Sequence, residues 1–105
     1  MPSVRWLMAD RKIIDKSSPI PKKRGNGLVR YEVWADAYGT VTRYNLAYIN
    51  HGLQHKDNGR VVGYDNHHHV HHRHYMGKVE VVSYTSFDDI QERFERDWTA
   101  LQEPS

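Results

Sequence analysis

The chain contains no cysteine. Disulfide bridges and thiolate metal centres are therefore excluded, and a cytoplasmic protein is the simplest reading. No apolar stretch approaches the length of a bilayer span, and the first residues carry no apolar signal-type core, so no membrane association is expected. Neither sign of charge dominates: 15 Lys and Arg face 13 Asp and Glu, a formal charge of +2 with the eight histidines neutral. Such a mild excess permits nucleic-acid binding without requiring it. Below about pH 6 the histidines would make the protein strongly cationic. Apolar residues are also scarce, at 38%. At 105 residues the chain suffices for one domain (1–105) with a small core. Three Trp, seven Tyr and two Phe compensate, because each aromatic ring buries a large area. A core this modest leaves room for a homodimer or a protein partner.

Residues 3–15 fit neither the helical nor the strand period, and one or two short strands are expected there. Residues 16–27 (KSSPIPKKRGNG) read as a loop. Pro19 and Pro21 oppose regular structure, and Lys22, Lys23 and Arg24 form a basic tip, either a solvated surface or an arm that contacts RNA. From 28 to 36 the chain alternates, with Val29, Tyr31, Val33 and Ala35 on one face, as a strand requires. After a turn at Ala37-Tyr38-Gly39, residues 40–50 alternate again, with Tyr44, Leu46 and Tyr48 on one side. The short connection predicts an antiparallel hairpin. Residues 60–65 and 78–84 read as further strands, the second after a turn near Met76-Gly77. Residues 86–101 form the clearest element. Ser86 is an N-cap, and Phe87, Ile90, Phe94, Trp98 and Leu101 recur at helical spacing on one face. Asp89–Arg93 and Glu92–Arg96 are i,i+4 pairs on the other. The expectation is an α+β fold: a small antiparallel sheet with a C-terminal amphipathic helix on one face.

Six of the eight histidines lie between Asn66 and His74. The run is internal, interrupted and flanked by patterned strands, which argues against an appended tag. His67 and His68 read as solvated. Two chemistries fit the rest. A His-x-His pair on a strand turns two imidazoles to one side, so His72 and His74, with Asp65, could ligate a metal; the spacing permits this without diagnosing it. Alternatively, His72 and His74 act as general acid and base on a phosphodiester, since imidazole titrates near working pH. If 70–75 is extended, the two project from one face about 6.5–7 Å apart along the strand. Arg73 offers a cation for the phosphate, although an ideal strand turns it the other way. His71 shares the face of Arg73 and replaces one of the pair if the register is reversed. Asp65 can orient an imidazole. Tyr64 and Tyr75 offer base stacking or a phosphate hydrogen bond, against the commoner structural role. No metal or cofactor is assigned.

Arg60-Val61-Val62-Gly63-Tyr64-Asp65-Asn66, the following His71-His72-Arg73-His74, the short Val-rich strand and the C-terminal helix with Phe94 and Asp97 resemble the TumE family of bacterial type II toxin–antitoxin toxins. The hairpin over 28–50 also fits, and the resemblance covers roughly residues 28–101. It implies a small growth-inhibiting toxin, an RNA-cleaving endoribonuclease neutralised by a cognate helix-turn-helix antitoxin. A non-enzymatic protein- or nucleic-acid-binding module and a His-ligated metal-dependent nuclease are the alternatives.

Overall fold

The computed structural model describes residues 10–102. They form one six-stranded antiparallel sheet in sequential order, followed by a helix. The strands are β1 (Arg11–Pro19), β2 (Leu28–Ala35), β3 (Val41–Ile49), β4 (Arg60–Asp65), β5 (His72–Tyr75) and β6 (Lys78–Val81). The helix, α1, spans Phe87–Thr99. The α+β reading from sequence is therefore what the chain adopts.

The core lies between α1 and one face of β2, β3 and β4. The alternation that predicted these strands supplies Val29, Val33, Tyr44, Leu46, Tyr48, Val62 and Tyr64, all buried. Ile90 and Phe94 meet them from the helix with no exposed surface. Fully burying either side chain is worth roughly 1.5–3 kcal/mol. Phe94 stands edge-on to Tyr31 and Tyr64, with ring centroids 5.6 and 6.5 Å away. Ser86 caps α1 by accepting a hydrogen bond from the Asp89 amide at 3.1 Å, satisfying one of the helix's orphan donors. On the outer face Arg93 pairs with Asp89 at 2.6 Å.

Three segments differ from the sequence reading. Of residues 3–15, positions 3–9 lie outside the described residues, and positions 11–15 belong to one long strand. That strand runs on through Ser17, Ser18 and Pro19, so the expected loop over 16–27 shrinks to 20–27. Proline is tolerated because β1 is an edge strand and Pro19 is its last residue, where a missing N–H need not break a ladder. The third is the strand expected over 78–84, which stops at Val81. The predicted turn at Met76-Gly77 is present, and φ is positive at both residues (51° and 84°), as a two-residue type I′ hairpin demands.

Two local devices fix the ends of β4. Asn66, just past the strand, uses its side-chain amide in place of a ladder: Oδ1 accepts from the Tyr44 amide at 3.0 Å and Nδ2 donates to the Thr42 carbonyl at 2.9 Å. At the other end of β4 the register against β3 shifts between Tyr48 and Ile49. This bulge sends Val61 into the core and Arg60 to the face away from α1, the usual effect of a bulge on side-chain direction. The Arg60 stem lies over Gly63; a Cβ there would collide with its Cδ.

Candidate active site

In β5 the side chains alternate across the sheet. His72 pairs with Asp65 and His74 with Gly63, whereas Arg73 pairs with Tyr64. His72, His74, Asp65 and Arg60 therefore share the open face, and Arg73, Tyr75 and Tyr64 share the helix face. On the open face the four line a cleft of about 310 Å³ together with Arg43, Asn45, His67 and Val79.

Asp65 organises the cleft floor. Its Oδ2 accepts from His74 Nε2 at 2.9 Å and from Arg60 Nη1 at 3.2 Å, while Oδ1 lies 3.4 Å from His72 Nδ1. The His67 amide also donates to Oδ1, at 3.3 Å. Burial pushes the Asp65 carboxyl up, but the bonds from His74 and the His67 amide, with the electrostatic attraction of His74 and Arg60, outweigh it and hold the pKa at about 2. The group is thus a fixed anion at any pH near neutrality.

His74 is engaged at both nitrogens. Arg60 Nη2 lies 3.0 Å from Nδ1. Nε2 carries a proton, which it donates to the Asp65 carboxylate. Asp57 Oδ2 lies 3.2 Å from the same Nδ1 and is itself gripped by Arg60 Nε at 2.9 Å. The His74 side chain is only 11% exposed. His72 is freer. It is 25% exposed, its Nδ1 faces Asp65, and among the described residues its Nε2 has no hydrogen-bond partner. The two imidazole centroids are 6.3 Å apart.

The helix face holds a different set. Asp97 Oδ2, on α1, accepts from Tyr64 Oη at 2.7 Å and Arg73 Nε at 2.9 Å. The Arg73 guanidinium also lies over the Tyr75 ring at 4.5 Å. Two of the expected site residues lie away from the histidine pair. Arg73 is separated from the His72–His74 pair by the sheet itself, so it does not reach a phosphate held there. Tyr64 is 2% exposed, its hydroxyl donates to Asp97, and burial and that carboxylate push its pKa up to about 12; no base can stack on it. Tyr75 is half-buried beside Arg73.

His71 also falls on the helix side. Its Nδ1 lies 2.8 Å from Tyr44 Oη, and its ring stacks on Tyr84 at 4.0 Å. Burial, and then the neighbouring His72, lower its pKa. Lys22, Lys23 and Arg24 form an exposed 3-10 turn whose loop is tied to Tyr48 and Asn50, with Tyr48 Oη donating to the Asn26 carbonyl at 2.8 Å and Asn50 Nδ2 to the Gly25 carbonyl at 2.9 Å. None of the three lines the cleft. The structure thus brings together Asp65, His72 and His74 and keeps Arg73, Tyr64, Tyr75, His71 and the basic turn apart from them.

Sequence reasoning missed Arg60, Arg43 and Asp57 and set His67 aside as solvated. Only the bulge delivers Arg60 to the open face, and a bulge leaves no mark on residue alternation. Among the described residues no group of three or more His, Asp or Glu side chains converges to hold a metal ion.

A family model described as Toxin TumE matches residues 20–104. The chain belongs to the TumE family. The match is wider than the residues 28–101 that carried the resemblance; it takes in the loop 20–27 and every cleft residue, and leaves out β1. No curated protein and no solved structure matches the chain. Membership of the TumE family gives the protein a toxin role and, in general terms, an antitoxin as its partner. No helix among the described residues is long and apolar enough to cross a membrane.

Proposed function

We propose that this TumE-family toxin is an endoribonuclease that cleaves RNA by metal-independent histidine acid–base chemistry in the cleft of β4 and β5, under the control of a cognate helix-turn-helix antitoxin in a type II operon. The observation that carries the reading is the Asp65 carboxylate, which faces two imidazoles on one face while, among the described residues, His72 Nε2 has no hydrogen-bond partner. A carboxylate on one ring nitrogen fixes the tautomer and stabilises the imidazolium, as in a hydrolase triad. His72 is the group that exchanges a proton with the RNA. His67, exposed at the cleft mouth with its amide tied to Asp65, is the second acid–base group. One takes the proton from the 2′-hydroxyl, which attacks the phosphorus; the other protonates the departing 5′-oxygen, leaving a 2′,3′-cyclic phosphate. His74 is a positioning residue: with both nitrogens occupied, it holds Asp65 and Arg60 in place.

The purified toxin should cleave RNA in the presence of EDTA, produce a 2′,3′-cyclic phosphate end and leave an all-deoxy strand intact. Loss of all cleavage on chelation, with rescue by a single divalent ion, would replace this reading with the metal-dependent one. Folded protein that neither cleaves RNA nor arrests growth when expressed without its antitoxin would point to a binding module instead.

A further inference from the structure

With Arg73 on the far side of the sheet, the cleft needs another cation for the phosphate. The open face of β1–β4 carries Lys12, Arg30, Arg43 and Arg60. Lys12 lies 2.7 Å from Glu32 and 3.2 Å from Asp15. Arg30 lies 3.2 and 3.3 Å from the same two carboxylates. Arg60 is held by Asp57 and Asp65. Arg43 alone of the four has no carboxylate partner among the described residues. Its guanidinium instead lies 4.4 Å over the ring of Trp34, its direct neighbour on β2. Lys12, the β1 neighbour of Trp34, approaches the same indole at 5.0 Å.

Arg43 is exposed and borders two hollows at once, the His72 cleft and a second one formed by Asp10, Thr42, Asn66 and the His67–His69 turn. We propose that Arg43, braced on Trp34, is the phosphate-binding residue of the cleft, and that the RNA strand crosses the open face from the His67–His69 turn to His72. This assignment rests on the ribonuclease reading above. The physical case has three parts. A guanidinium that lies on an indole keeps its N–H edge available, and that edge can hold two phosphate oxygens together. Contact with the ring restricts the side chain before the ligand arrives, so less conformational freedom is lost on binding. A cation not already neutralised by a carboxylate gives up no ion pair when it takes the phosphate, unlike Lys12, Arg30 and Arg60.

The test uses a short single-stranded RNA with a 2′-deoxy sugar at the cleavage position, which binds without reacting, and the parent RNA for cleavage. Arg43→Ala should weaken binding on the order of tenfold at low salt, the loss expected for one charge-assisted contact. It should also reduce the slope of log Kd against log salt by about 0.7, one phosphate contact on a single strand. Arg43→Lys should keep the slope and lose part of the affinity. Arg30→Ala, on the same face but with its charge already matched, should change neither by as much. Equal effects of Arg43→Ala and Arg30→Ala would overturn the assignment in favour of a diffuse field. Folded Arg43→Ala protein that binds and cleaves like the wild type would overturn it while leaving the ribonuclease reading standing. A wild-type protein that neither binds nor cleaves RNA would overturn both.

Discussion

Replacement of Asp65 by asparagine tests the centre of the site through stability as well as activity. The carboxyl titrates at about 2 in the folded protein against an ordinary value of 3.8. With its side chain only 14% exposed, little of this is lost to solvent screening, and the depression converts to roughly 2 kcal/mol of native-state stability. The amide keeps one acceptor oxygen, so it cannot serve His74 Nε2, Arg60 Nη1 and the His67 amide together, and one of these donors loses its partner. For a domain of this size about 2 kcal/mol lowers Tm by roughly 10 °C. The sign with pH follows from the direction of the shift. A folded value below the unfolded one stabilises in full above about pH 4, and that stabilisation is lost as pH falls through about 2. Glu32 is also held below its ordinary value, so the quantity to follow is the difference between wild type and Asp65→Asn. Thermal melts of the two proteins, from neutral pH down to about 2, should start well separated and converge at the acid end. Curves that remain parallel through the acid range, or an Asp65→Asn protein that melts with the wild type at neutral pH, would refute the reasoning.

Three further perturbations separate chemistry from support. His72→Ala should lower RNA cleavage on the order of 10²-fold or more with little change in Tm, whereas His74→Gln should lower Tm and alter the shape of the pH–rate profile, because it disturbs Asp65 and not the proton in flight; if His72→Ala folds and cleaves normally, the mechanism is wrong. Gly63→Ala should displace the Arg60 stem, since the new methyl would also stand 3.1 Å from the Leu46 carbonyl oxygen, at a cost of about 1–3 kcal/mol measured by denaturant melts; wild-type stability would show that Arg60 is not seated there. Asp97→Ala strands the Tyr64 hydroxyl and leaves Arg73 with Glu80 alone, 3.4 Å away, and should destabilise by roughly 1–3 kcal/mol, yet the pH dependence of cleavage below its melting temperature should not move; a shifted profile would place Arg73 in the chemistry after all.

Much of the scaffold was legible because it is written in local periods. The alternation of 28–35 and 41–49 and the three- and four-residue recurrence from Phe87 to Leu101 each follow from burial on one face, and the structure buries those faces. The shared face of His72 and His74, and the opposite face of Arg73, came from the same period-two argument. What escaped was set by partners distant in sequence. Pro19 ends a strand because β1 is an edge, and nothing local says which strand lies outermost. The burial and contacts of His74 depend on Asp57 from the turn before β4 and on Arg60 at the start of that strand. Arg43 looked like one more outward-facing residue of an amphipathic strand. That it lacks a carboxylate partner among the described residues is visible only once Lys12 and Arg30 are seen to have used Asp15 and Glu32.

β5 has four residues, too few to hold its own position, and its two faces divide the work. On one face Arg73 ties the strand to α1 through Asp97, with Tyr75 packed beneath the guanidinium and Tyr64 sharing the carboxylate. The type I′ turn at Met76-Gly77 sets its register against β6, and the ladder to β4 sets it against Asp65. His72 and His74 project from the other face at positions those constraints dictate. Arg73, on the helix face, therefore helps to fix where the imidazoles stand on the other. His72-Arg73-His74 thus reads as one cluster in the sequence, although the fold sets Arg73 on the helix face and the two histidines on the open face.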